Sequence, residues 1–352
     1  MGRKKVNQLM QSDNGLIAEL ADVKWIKQPV IYSMISGDFT LMQMNIIIAL
    51  SKAIQERIEE YLSRNCKSQG GGKQLTLFSN DEMAREAITI DLDLSDLGIR
   101  SDMYDKLESA CENLMKMSMS YPVYENKKLA NRVYINPTNS DDVNGNPYAY
   151  KGGKRRKGII SVTMLTKNLS DVFDMSHGYV NHIATIAQFC KKKRTPRVYI
   201  YLERWRNYKT KTVDYIEFKE YLGLLRYDRK NNVVKDEIYP SYWEFCQKVL
   251  NPVKKEMDKL LEKNLIDISF DYEPIYRTTR KRGTPDEIKF TIKMSEMGKQ
   301  LLEKGQVQKD VNSVLDHLKK EYGYTDNDLK FMTDSWVDEM LPALEQEILT
   351  LK

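Results

Sequence analysis

Gln247, Lys248, Asn251, Lys254 and Lys255 recur at intervals of three and four residues, the spacing that lines side chains along one side of a helix. Their chemistry suits base edges and phosphates. A Gln or Asn amide presents a donor and an acceptor that can pair with adenine, and a lysine ammonium matches guanine O6 and N7. The stretch 273–286 then brings Arg277, Arg280, Lys281 and Arg282, cations suited to phosphate oxygens. An ordinary solvated helix face is the competing reading of the first set alone. A basic loop soon after the helix favours double-stranded DNA, because a helix can enter the major groove while basic residues beside it hold the backbone.

Other chemistries fail on spacing. Gly70-Gly71-Gly72-Lys73 lacks the first glycine of a phosphate loop, where Lys67 stands, and Gln74 replaces the hydroxyl residue that would hold magnesium. A nicking enzyme needs two histidines flanking one residue, and His177, His182 and His317 are not so placed. Asp91, Asp93, Asp141 and Asp142 read as solvent-facing acids or caps. Cys66, Cys111, Cys190 and Cys246 form no CxxC pair and read as reduced thiols, with Cys111 and Cys246 packing in helices. No catalytic set, metal site or cofactor is expected, and the chain is read as a binding protein rather than an enzyme.

The elements that must carry these residues follow from periodicity. Ser241 to Glu262 places Phe245, Val249, Val253, Met257 and Leu260 on one apolar face, with Ser241 as N-cap and Glu244 completing a capping box. Pro252 must kink or restart this helix, since it lacks the donor N–H and clashes with the preceding turn. Upstream, the pattern predicts a lead into a helix over His182 to Phe189, a helix over Thr195 to Trp205 with Pro196 in its first turn, a strand over Thr212 to Ile216, and a short helix over Glu217 to Leu222 closed by Gly223. Downstream, Leu265 to Tyr272 and Glu287 to Lys293 alternate as strands around the basic loop.

The first half repeats the order. Leu16 to Val30 holds a short strand or helix, and Thr40 to Leu62 is a long helix with Leu41, Met44, Ile48, Ala53, Ile54, Ile58 and Leu62 near helical spacing. Ala87 to Leu94 alternates as a strand, Ser95 caps a turn of helix ending near Gly98, and Ser101 opens a helix through Met103, Leu107, Ala110 and Leu114. Strands follow at 118–124, 132–135 and 158–164, with a long Gly- and Asn-rich loop at 139–157. Asp102, Asp105 and Glu112 on the outer face of the second helix would repel phosphate, so this half reads as support, dimer formation or backbone contact. The fold class is α+β: two tandem winged-helix domains, residues 38–178 and 179–294, after an N-terminal extension (1–37) and before a C-terminal helical extension (295–352).

Charge divides the same way. The chain is +5 overall, and residues 295–352 hold 12 acidic against 7 basic residues, a balance of −5 that leaves +10 on the first 294. The excess sits in blocks at 151–157, 191–197, 204–211 and 277–282, a distribution suited to polyanions. The acidic tail packs on the core or takes a host replication protein. No apolar stretch approaches the ~20 residues that span a bilayer, and no apolar segment follows the basic start, so a cytoplasmic protein without membrane partners is expected.

PRVYIYLERWRNYKTKTVDYIEFKEYLGL (196–224) and YWEFCQKVLNPVKKEMDKLLEKNLIDISFDY (242–272) resemble the initiator Rep proteins of theta-replicating, iteron-containing plasmids. LMQMNIIIAL (41–50) stands where that family has its opening helix, and the likeness runs over roughly residues 38–294. The resemblance implies a bacterial, plasmid-associated protein. It would bind directly repeated origin sites, promote origin opening and host replisome loading through a host initiator or helicase, and self-associate to a dimer that represses its own gene. It carries the family's base- and phosphate-contacting positions onto Cys246, Gln247 and Lys248, of which only Lys248 is cationic. A winged-helix transcriptional regulator without initiation activity is the alternative.

Overall fold

The computed structural model describes residues 25–60, 77–78, 80–85, 87–94, 97–98, 103–117, 119–125, 128–135, 155–156, 159–165, 169–175, 177–228, 233–277, 283–296 and 298–299. Helices and strands mix throughout in an α+β fold. The described residues up to Lys293 belong to one compact unit, and Met294–Lys352 is a second. The predicted 139–157 loop apart from β5, the Ser95 and Ser101 caps and nearly all of the helical tail lie outside the described residues.

The N-terminal extension supplies β1 (Trp25–Pro29) and a single turn, α1 (Val30–Ser33). Helix α2 (Leu41–Ala53) begins with a full capping box: Gln43 N–H donates to Thr40 Oγ1, and Thr40 N–H donates to Gln43 Oε1 at 2.9 Å. Burial of Met44, Ile46, Ile47, Ile48 and Leu50 makes it apolar nearly all round, as befits a central helix. A turn at Ile54 interrupts the expected continuous helix, and Ala53, assigned to the apolar face, is exposed. Strand β2 (Ala87–Asp93) and helix α3 (Tyr104–Lys116) follow. Leu107, Ala110, Cys111 and Leu114 face inward, as their period requires, while Asp105, Lys106 and Glu112 face solvent. Strands β3 (Met119–Glu125) and β4 (Lys128–Ile135) form a hairpin, whereas β5 (Arg155–Arg156) and β6 (Ile159–Leu165) build a separate sheet in the order β2-β6-β5.

Residues 182–183 do not lead into a helix. They complete β7 (Tyr179–Ile183), which pairs antiparallel with β1 in the register Trp25 to Ile183, and helix α4 starts only at Ile186 (Ile186–Phe189). His182 is buried there. Its Nε2 lies 2.6 Å from Gln28 Oε1, and desolvation lowers its pKa to about 4.

Helix α5 (Thr195–Glu203), with Pro196 in its first turn, leads to β8 (Thr210–Asp214) and α6 (Tyr215–Tyr221). Asp214 caps α6 by accepting from the N–H groups of Ile216 and Glu217 at 2.9 and 3.0 Å. The helix closes in a Schellman arrangement: Leu224 N–H reaches Lys219 O, Gly223 N–H reaches Glu220 O, and Gly223 takes φ +70°. A hairpin not expected from the periodicity, β9 (Leu225–Asp228) with β10 (Val233–Glu237), intervenes before the next helix. Fully buried Lys219 fastens it by pairing with Glu237 and donating to Tyr239 O at 2.8 Å.

The best-patterned helix is α7 (Tyr242–Phe245), continued by a π-helical turn (Cys246–Leu250) into α8 (Asn251–Glu262). The widened turn sits immediately before Pro252, where a standard ladder would require the N–H that proline lacks and would press its ring on the carbonyl of residue 248. The helix is therefore accommodated by widening rather than restarted. Strands β11 (Ile268–Ile275) and β12 (Glu287–Met294) close the sheet in the order β11-β12-β8. Phe218, Phe245, Phe270 and Phe290, all buried, form the core between sheet and helices, with ring centroids 5.2 to 6.4 Å apart where they meet. Behind α5, Tyr199 donates to Asp267 at 2.7 Å and Arg206 pairs with the same carboxylate at 2.8 Å while lying over the Trp25 ring. Glu203, buried beside Asp267, titrates well above the usual carboxylate range, first because of burial and then because of that neighbouring charge.

Candidate nucleic-acid interface

Helix α7–α8 owes its orientation to its apolar face. Phe245, Val249, Leu250, Val253, Met257 and Leu260 are buried, and together they hold the opposite face outward. The extra residue of the π turn is why both Val249 and Leu250 face inward. Ser241 caps the first turn, accepting from Glu244 N–H at 3.2 Å, but its hydroxyl also donates to the Glu244 carboxylate, so the reciprocal half of the expected capping box is absent.

On the outward face, Gln247, Lys248, Asn251 and Lys255 are exposed and Lys254 is half-buried. Among the described residues Gln247, Lys248 and Lys255 have no ion-pair or hydrogen-bond partner. Lys254 is differently placed. It pairs with Asp258 at 2.6 Å and Asp271 at 3.1 Å, and Lys293 closes the group by pairing with Asp271 at 2.8 Å. These contacts raise the Lys254 pKa, Asp258 contributing most, and lower that of Asp271, through Lys293 first. Asn251 accepts at Oδ1 from the Tyr272 hydroxyl of β11 at 2.6 Å. Cys246, one of the three positions implied by family resemblance, turns inward at 9% exposure beside Tyr242 and Tyr272.

Arg277 stands at the base of the loop joining β11 and β12. Its N–H donates to Asp286 at 2.8 Å, and its guanidinium meets Glu287 at 3.0 Å while remaining mostly exposed. Arg280, Lys281 and Arg282 lie outside the described residues. Sequence reasoning missed Trp243, which is 69% exposed in the first turn of the helix and lies four residues before Gln247 and eight before Asn251. That spacing was the available signal. It also missed Asp271 and Tyr272, since nothing in one sequence says which strand residue reaches the helix.

The helix is locked to the loop before α5. Glu256 accepts from Lys191 N–H at 2.6 Å, Lys192 N–H at 3.1 Å and the Thr195 hydroxyl at 2.5 Å. From the same loop, Lys193 and Arg194 pair with Asp38 at 2.7 and 3.1 Å. The outward helix face is thus tied through one loop to the start of the first half.

Residues 215–292 match the family model described as initiator Rep protein, WH2. That stretch is similar to the WH2 domain of initiator Rep proteins. The match opens on α6 and ends on β12, so the capped helix, the inserted hairpin, the exposed helix face and strands β11 and β12 all lie within the matched stretch. No curated protein matches the chain. Among solved structures, the crystal structure of Pi initiator protein in complex with iteron DNA is similar at 14% identity, over 77% of this chain and 98% of that one, with a TM-score of 0.48.

Proposed function

We propose that the chain is a plasmid replication initiator that binds repeated double-stranded origin sites, promotes opening of the adjacent duplex and brings in the host replisome, without enzymatic chemistry of its own. The observation that carries this reading is the coincidence of the WH2 match with a helix whose outward face offers Gln247, Lys248 and Lys255 to solvent. In this proposal residues 38–178 and 179–294 are unequal winged helices. The second reads base edges through α7–α8 and holds phosphate with Arg277, Arg280, Lys281 and Arg282. The first contributes support, self-association to a dimer, or backbone contact, as the acidic outer face of α3 suggests.

The test is Lys248→Ala measured on specific and random duplexes. A loss of about 1–3 kcal/mol confined to the specific site is expected if Lys248 reads a base, and an equal loss on both if it holds phosphate. No loss on either removes the helix face from the interface.

A further inference from the structure

Asn251 is the one outward-facing amide of this helix whose acceptor is already engaged. The Tyr272 hydroxyl reaches from β11 to Asn251 Oδ1 at 2.6 Å, and the Tyr272 ring is braced against buried Phe270, centroids 6.3 Å apart. Burial and the neighbouring Cys246 thiol push the Tyr272 pKa further up from its ordinary value, so the hydroxyl keeps the proton that it donates. An amide has an oxygen that accepts and an NH2 group that donates. With one of the oxygen's two lone pairs taken by Tyr272, the NH2 group is the end of the amide that no described residue engages.

This matters because purine edges differ in what they ask for. Adenine shows an acceptor, N7, beside a donor, the N6 amino group, and an asparagine must use both ends of its amide to pair with it. Guanine shows two acceptors, O6 and N7, and asks only for donors. We propose that Tyr272 is a positioning residue that fixes Asn251 as a donor, so that Asn251 reads guanine rather than adenine. The proposal departs from the adenine pairing expected for Asn251 from residue type alone, and it rests on the DNA-reading role of the helix proposed above. The same strand holds the next outward side chain too, since Asp271 engages Lys254. Strand β11 therefore sets the hydrogen-bonding character of two successive positions on the helix.

The experiment is selection of bound duplexes from a randomised pool by the full chain, its Tyr272→Phe variant and its Asn251→Ala variant. The expected result is one position where the wild type prefers guanine, where Asn251→Ala loses the preference, and where Tyr272→Phe shifts it toward adenine by about tenfold in relative affinity. Retention of the guanine preference by folded Tyr272→Phe overturns the proposal, as does a wild-type adenine preference at the position that depends on Asn251. A wild type that selects no sequence overturns the DNA-reading role itself, and so is told apart from failure of the inference. If Tyr272→Phe does not fold, the wild type is measured on its selected site with 7-deazaguanine, which lacks N7, and with 2-aminopurine, which lacks O6, at that position. Weakening by about tenfold with either supports the proposal, and unchanged affinity with both overturns it.

Discussion

Gly223→Ala should force apart the two backbone segments that meet at this glycine. Gly223 takes φ +70°, and a Cβ built there would lie 2.2 Å from the carbonyl carbon of Gly37 and 2.3 Å from Asp38 N. Carbon atoms pack at about 3.5 Å, so the backbone of 37–38 must retreat by more than 1 Å. No rotamer change can absorb this, because the neighbouring atoms are all main chain. The left-handed conformation costs about 1–2 kcal/mol once a Cβ is present, and displacing packed backbone about 1–3 more. The same retreat strains the Asp38 pairs with Lys193 and Arg194 and the stacking of Arg197 on Phe39, 4.9 Å from the ring centroid. The expected loss is about 2–5 kcal/mol, read as a lower urea midpoint by tryptophan fluorescence. Gly178→Ala is the control: φ is +86° and nothing lies within 4 Å of the added Cβ, so only the conformational cost applies. The reduced entropy of the unfolded chain is common to both variants and cancels. Equal losses in the two variants would refute the close-approach argument.

Two further outcomes follow from the structure. His182 is protonated near pH 6.5 when unfolded but only near 4 in the folded chain; its contribution is complete above pH 6.5 and falls as the pH drops through that window, by about 2 kcal/mol at pH 5. Glu203 acts in the opposite sense, because its raised pKa favours the folded state at low pH. The measurement is accordingly the difference between wild type and His182→Gln across pH 5 to 7, and an identical pH profile for the two would contradict the assignment. Neutralising Arg280 and Lys281 should make binding less steeply dependent on salt, since fewer counterions are released, and an unchanged slope would take that loop out of the interface.

The helix that presents the candidate site was legible because its buried residues recur at helical spacing over about four turns: Phe245, Val249, Val253, Met257 and Leu260 are all interior. Its cap at Ser241 and the two strands after it were equally plain from local pattern. Features fixed by distant partners were not. His182 was read toward a helix because its strand partner, β1, lies 154 residues earlier in the chain. The π turn follows from Pro252, but kink, restart and widening all relieve the same missing N–H, and only packing of Leu250 into the core selects the third. The β9–β10 hairpin left a turn signal, Asp228 to Asn232 between Leu225-Tyr227 and Val233-Val234, that the expected direct passage from short helix to long helix obscured. Among the site residues, exposure of Gln247, Lys248, Asn251 and Lys255 followed from periodicity. The engagement of Asn251 by Tyr272 and of Lys254 by Asp271 did not, because it depends on which strand lies beside the helix.

The central claim is that this chain recognises repeated origin sites. Footprinting of the purified full-length protein on the plasmid that carries its gene tests that directly. The account predicts protected segments of common sequence at regular spacing, lost with Lys248→Ala, beside a duplex that the wild type opens. Protection scattered without a shared sequence, unaffected by Lys248→Ala, would contradict it.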